Sequence, residues 1–198
     1  MISGKLIHNC NGVMVFCRTM SNLPVRGGGR GEAERVAVEE LIADAFGGGS
    51  MPRLEHLPSG APVLEGVDMS VSVSHCPGAV CVAVGPSGCR IGIDAESRLR
   101  GAQLQRVAAK FLAPAQREVW GADAEALLKG WTIKEALYKA ASTAGLPLHE
   151  IPLPAGCGHD EAEVSMLGCR YRIKHLSVKG FEGIITFVVE AATEEALK

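Results

Sequence analysis

The sequence predicts an α+β fold of two similar lobes, each a set of antiparallel strands packed on a helix. Three observations predict it. Apolar residues alternate with period 2 in short runs such as "SVSVSHC" and recur with helical spacing in longer ones such as "ALLKGWTIKEALYKAA". A helix followed by a hairpin pattern occurs once in each half. A long, broken helical stretch separates the two.

In chain order, "GVMVFCRT" reads as a strand, and the Gly-rich loop "SNLPVRGGGRGE" leads into a helix from Glu32 to Phe46, closed by "GGGS". Val36, Val38, Leu41, Ile42 and Ala45 give that helix one apolar side. After the loop "LPSGAPVLEG" come "MSVSVSHC" and "AVCVAVG", two strands joined by a turn at Pro77-Gly78, and then a third, "CRIGIDAES". Helical patterning runs from Arg98 to Leu112, is interrupted at Pro114, and resumes through Trp120 and from Ala124 to Thr143. "CRYRIKHLSV" and "GIITFVVEAA" form the second hairpin. The repeated order points to an internal duplication, with lobes of residues 1–97 and 98–198 around a shared cleft.

At 198 residues and 47% hydrophobic content the chain can bury a substantial core. A formal net charge of −2 supplies no global basic field for nucleic acid, so an anionic ligand must be held locally. The seven cysteines, an odd number scattered without a C-x-x-C pair, indicate neither a zinc ribbon nor a disulfide framework and suit a reducing, cytoplasmic setting. The N-terminal stretch lacks the pattern of a secretory leader, and no run is long and apolar enough to span a bilayer.

In "IGIDAE" the alternation sends Ile91 and Ile93 to the core and Asp94 and Glu96 to the opposite face. By itself D-x-E is a solvated strand end. With a third carboxylate from the other lobe, Glu135, it suits a hard divalent cation such as Mg²⁺, which takes oxygen ligands and shares them with phosphates. On the helix, Trp131, Glu135 and Lys139 lie at i, i+4, i+8, flanked by Lys134 and Tyr138. A surface Glu–Lys pair beside a core indole explains this spacing. So does the lining of an internal cleft, because the polar stripe continues the apolar face.

"SVSHCPG", "IGIDAE" and "WTIKEALYKA", in this order and spacing, resemble the 4′-phosphopantetheinyl transferase superfamily, particularly its longer surfactin-type branch. The resemblance spans roughly Arg26 to Phe187 and is concentrated in the three motifs. It implies a pseudo-two-fold monomer of two α+β lobes with coenzyme A between them. It also implies Mg²⁺-dependent transfer of phosphopantetheine from coenzyme A to a serine of an acyl, polyketide or peptidyl carrier protein. Asp94, Glu96 and Glu135 match the metal ligands, and Lys139 matches a lysine that would pair with the pyrophosphate. Glu135 is also placed to activate the serine hydroxyl, directly or through a water. Ser74 and His75 match an S-H motif whose histidine binds coenzyme A phosphate, although a histidine at a strand end also serves structurally. Cys76, on the opposite strand face, is a poor candidate nucleophile.

The chain departs from the family where many members carry a G-K-P loop. It has Gly60-Ala61-Pro62, whose backbone can approach adenine without the lysine's charge, leaving Arg35 and Arg30 as candidates for the 3′-phosphate contact. In "KFLAPAQRE", Gln116 stands near the expected acidic position and receives no catalytic role. Arg98, Arg100, Arg106 and Lys110 form either a docking edge for an acidic carrier protein or a solvated face. The competing functions are a non-catalytic coenzyme A or carrier-binding module and a metal-dependent phosphohydrolase.

Overall fold

The computed structural model describes residues 4–20, 29–48 and 51–191; most of the Gly-rich loop, including Arg26, and the end of "GGGS" lie outside them. The chain opens with a hairpin of β1 (Lys5–Cys10) and β2 (Val13–Thr19). Its two-residue turn holds Asn11 at φ 51° and Gly12 at φ 77°, the left-handed pair that Asn-Gly accepts most readily. Helix α1 (Arg30–Ala45) follows, then the short strands β3 (Leu54–His56) and β4 (Pro62–Leu64), the second of them within "LPSGAPVLEG", expected to be a loop. The hairpin of β5 (Met69–Cys76) and β6 (Ala79–Pro86) turns at Pro77-Gly78, as the sequence predicts.

Strand β7 (Ile91–Ser97) leads through a 3₁₀ turn, Arg98–Arg100, into α2 (Gly101–Phe111), α3 (Pro114–Trp120) and α4 (Ala124–Ala141). A second 3₁₀ turn, Leu148–Glu150, precedes β8 (Glu161–Met166), β9 (Cys169–Leu176) and β10 (Gly183–Glu190). Two four-stranded antiparallel sheets result, ordered β1-β2-β6-β5 and β7-β10-β9-β8. The fold is α+β, and the order strand, helix, hairpin, with the hairpin's second strand placed against the first strand, occurs in both sheets. The third strand expected in the first group, β7, instead pairs with β10, so the sheets divide before Ile91 rather than at Arg98.

The faces away from the helices share one core, in which Val15 and Cys17 of β2 and Cys81 of β6 meet Ile93 of β7 and Phe187 of β10. Outside the first sheet, Leu41 and Ile42 of α1 cover Val80, Val82 and Val84. The buried stripe of α1 is Ala37, Val38, Leu41 and Ile42; Val36, expected in it, is 38% exposed, because the apolar period starts one residue later. Outside the second sheet, Leu127, Ile133 and Leu137 of α4 pack on Tyr171, Ile173 and Val188. All seven cysteines are free thiols. No helix among the described residues is long and apolar enough to cross a membrane.

Strand β7 is fitted to its neighbours on two sides. Gly92 faces α4, and a Cβ there would collide with the Ala136 carbonyl oxygen, so glycine lets the helix lie against β7. The edge strands β5 and β7 also run side by side without a shared ladder. The amides of Ile93 and Ala95, which point away from β10, donate to Ser72 Oγ and Ser74 Oγ, each at 3.1 Å. The alternating serines of "SVSVSHC" thus satisfy the exposed amide edge of the second sheet.

Candidate functional site

Asp94 lies on this seam, 6% exposed. Its Oδ1 accepts hydrogen bonds from Ser74 Oγ at 3.0 Å and Lys139 Nζ at 2.8 Å, while Oδ2 is buried without a partner. A buried carboxylate oxygen left unpartnered is unfavourable in a finished core and suits a site completed by a ligand. Lys139 reaches it from α4, one turn after Glu135, and also donates to the Ile93 carbonyl at 2.9 Å. Burial, and then the negative charge of Asp94, push the Glu135 carboxyl above its ordinary pKa, against the opposing pull of Lys139 and Arg100. Glu96, two residues beyond Asp94 and 8% exposed, forms an ion pair with Arg100. The Arg100 guanidinium lies 4.7 Å from the centroid of the Trp131 ring, which meets Phe111 edge-on at 5.1 Å.

The three carboxylates expected to hold a cation therefore come from adjoining elements, but they are not gathered as a preformed centre. Among the described residues no three His, Cys, Asp or Glu side chains converge as a metal cluster. Lysine and arginine occupy part of the space between them. The unpartnered Asp94 Oδ2 is the atom whose environment best fits a divalent cation.

A cavity of about 360 Å³ opens beside Lys139 and Glu135, with Tyr138, His75 and the Gly60-Ala61-Pro62 turn also on its wall. A second, of about 590 Å³, lies between α1 and the β3–β4 region and includes Arg35, Glu34, Val38 and Met51. His56, Val73 and His75 line both, so the two cavities meet there. His75 Nδ1 lies 3.4 Å from Glu34, whose other oxygen accepts from Arg30 Nε at 2.7 Å. Arg35 is held at the surface between Glu32 and Glu39.

Glu135, Lys139, His75 and the Gly60-Ala61-Pro62 turn line one cleft, with Asp94 buried behind Lys139, and several expected residues have other tasks. Ser74, paired with His75 in sequence as a phosphate ligand, orients Asp94 and accepts the Ala95 amide. Lys134 does not join Lys139 at the cleft. It is fully buried, donating to the Leu148 carbonyl at 2.8 Å and to the Ile151 carbonyl, and burial pulls its pKa down to about 8. Gln116 donates to the same Ile151 oxygen at 3.1 Å and accepts from the Ala113 amide, a helix-capping role. Arg100, expected on a docking rim, is committed to Glu96, and Arg98 pairs with Glu125 at 2.7 Å. Burial, with Asp94 nearby, pushes the Cys76 thiol up to about 12, unfavourable for a thiolate nucleophile. Glu34 and His56 are not among the residues the sequence pattern singles out. An Arg30–Glu34 spacing of i, i+4 was the available signal for the former, and the latter had none.

A family model described as 4'-phosphopantetheinyl transferase superfamily matches residues 90–161, from just before β7 to the start of β8. That segment carries Asp94, Glu96, Glu135 and Lys139, while Ser74 and His75 precede it. No curated protein matches the chain.

Proposed function

We propose that the chain is a 4′-phosphopantetheinyl transferase of the long, two-lobed branch. Its cleft would transfer phosphopantetheine from coenzyme A to a serine of an acyl, polyketide or peptidyl carrier protein. The observation that carries this is the position of Asp94. It lies within the matched segment, buried, with one oxygen unpartnered and Lys139 and Glu135 beside it on the cleft wall. A binding module has no use for such a constellation, because holding a ligand does not require an orphaned carboxylate beside a carboxyl of raised proton affinity.

Asp94, Glu96 and Glu135 would hold Mg²⁺, which when bound neutralises negative charge on the pyrophosphate. Ser74 fixes the orientation of Asp94 through the 3.0 Å hydrogen bond. Lys139, on the wall of the smaller cavity, offers a compact positive charge to the pyrophosphate. The carrier serine Oγ attacks the β-phosphorus, and the bond from that phosphorus to the bridging oxygen breaks. Adenosine 3′,5′-bisphosphate leaves. Glu135, with proton affinity raised by burial, takes the hydroxyl proton directly or through a water. His75, held by Glu34, and the Gly60-Ala61-Pro62 turn face the nucleotide half of coenzyme A.

Because two lobes within one chain frame the cleft, a monomer suffices, and its substrates place it in the cytoplasm. Arg106 and Lys110, both exposed on α2, remain as the docking edge for an acidic carrier. The protein, incubated with coenzyme A, Mg²⁺ and a panel of apo-carrier proteins, should add one phosphopantetheine to one carrier serine, read by intact mass. Cleavage of coenzyme A with every carrier unmodified would favour a phosphohydrolase, and binding without cleavage a non-catalytic module.

A further inference from the structure

The basic side chains of the cleft are unequally committed. Lys139 is bound to Asp94 and to a backbone carbonyl, His75 faces Glu34, Arg35 lies between two glutamates, and Arg53 is 3.9 Å from Glu55. His56 differs. It lines both cavities, it is exposed, and it has no ion-pair partner among the described residues. It ends β3 directly opposite Pro62 of β4, so the hairpin that supplies the Gly60-Ala61-Pro62 turn also presents this imidazole. The turn itself, residues 59–62, carries no charged side chain.

Lys139 lines the smaller cavity, and His56 and His75 line both it and the larger one. With the pyrophosphate at Lys139, the border between the cavities offers two imidazoles to a further phosphate of the same ligand. We infer that His56 is a specificity-determining residue that, with His75, binds the ribose 3′-phosphate of coenzyme A where the two cavities meet. The inference rests on the transferase reading for the ligand's identity. His75 comes with its own carboxylate, which orients the ring and competes with an anionic ligand; His56 has none and can give its N–H to phosphate without first releasing a partner.

The test is calorimetry of coenzyme A and of 3′-dephospho-coenzyme A against wild type, His56→Ala and His56→Lys, with circular dichroism of each variant as the folding control. His56→Ala should weaken coenzyme A binding about tenfold, the scale of one hydrogen bond to a charged group, and leave 3′-dephospho-coenzyme A binding unchanged. His56→Lys, which restores an N–H donor at the same place, should recover affinity for coenzyme A only. Equal loss for both ligands in His56→Ala, or no loss for either, would overturn the assignment of His56. If wild type binds coenzyme A tightly, that result removes His56 alone; if wild type binds neither compound, the transferase reading falls and this inference with it.

Discussion

Replacing Ser74 by alanine separates the seam's structural role from its chemical one. The hydroxyl accepts from the Ala95 amide at 3.1 Å and donates to Asp94 Oδ1 at 3.0 Å. Ser74→Ala strands a buried backbone donor beside a residue that is 1% exposed, while Asp94 Oδ1 keeps Lys139. An unsatisfied buried donor costs about 1–3 kcal/mol. At this chain length each kcal/mol lowers Tm by roughly 2–4 °C, so a fall of about 2–12 °C is expected. Ser72→Ala is the matched control. It strands the Ile93 amide in the same way, but Ser72 makes no hydrogen bond to Asp94. Thermal unfolding of both variants should give similar losses, whereas transferase turnover at saturating Mg²⁺ should fall much further in Ser74→Ala. Unchanged Tm in both variants would refute the seam. Equal turnover in the two, at equal loss of stability, would refute the claim that Ser74 positions Asp94.

Asp94→Ala should lower turnover by about 10²–10³, the effect of deleting one preorganised electrostatic group, with the fold retained by circular dichroism. Lys134→Met tests the buried ammonium. The folded pKa of about 8 lies below the ordinary 10.5, so the unfolded chain binds more protons between those values and wild-type stability should rise with pH across that window. The difference between wild type and Lys134→Met in urea unfolding should carry this slope, and a difference independent of pH from 8 to 10.5 would contradict it. Charge reversal at Arg106 and Lys110 should raise KM for an acidic carrier at low salt, with the defect fading as salt increases and coenzyme A affinity unchanged by calorimetry.

Local patterns made most elements legible. The period-2 run at Ile91–Glu96 correctly sends Ile91 and Ile93 into the core and Asp94 and Glu96 toward α4. The Asn11-Gly12 dipeptide is a readable hairpin signal for β1 and β2. The β8–β9 turn was harder, because Leu167 adopts φ 52° where Asn or Gly would have announced it. What local pattern cannot carry is partnership. The residues of β7 pair with β10 some ninety positions later, and nothing in "IGIDAES" distinguishes that from pairing with β5 or β6. Lys134 flanks the stripe of Trp131, Glu135 and Lys139, but its position on the helix does not name its partner. Only the packing of the Leu148–Ile151 segment against α4 decides that one ammonium serves backbone carbonyls in the core and the other meets Asp94 in the cleft.

The most direct test of the central claim is the stoichiometry of products in one reaction mixture. With coenzyme A, Mg²⁺ and an accepted apo-carrier, chromatography and intact mass should find one adenosine 3′,5′-bisphosphate released for each phosphopantetheine added to a carrier serine. Glu135→Gln should suppress both products together. Adenosine 3′,5′-bisphosphate accumulating with free phosphopantetheine and an unmodified carrier would make water the acceptor and contradict the account.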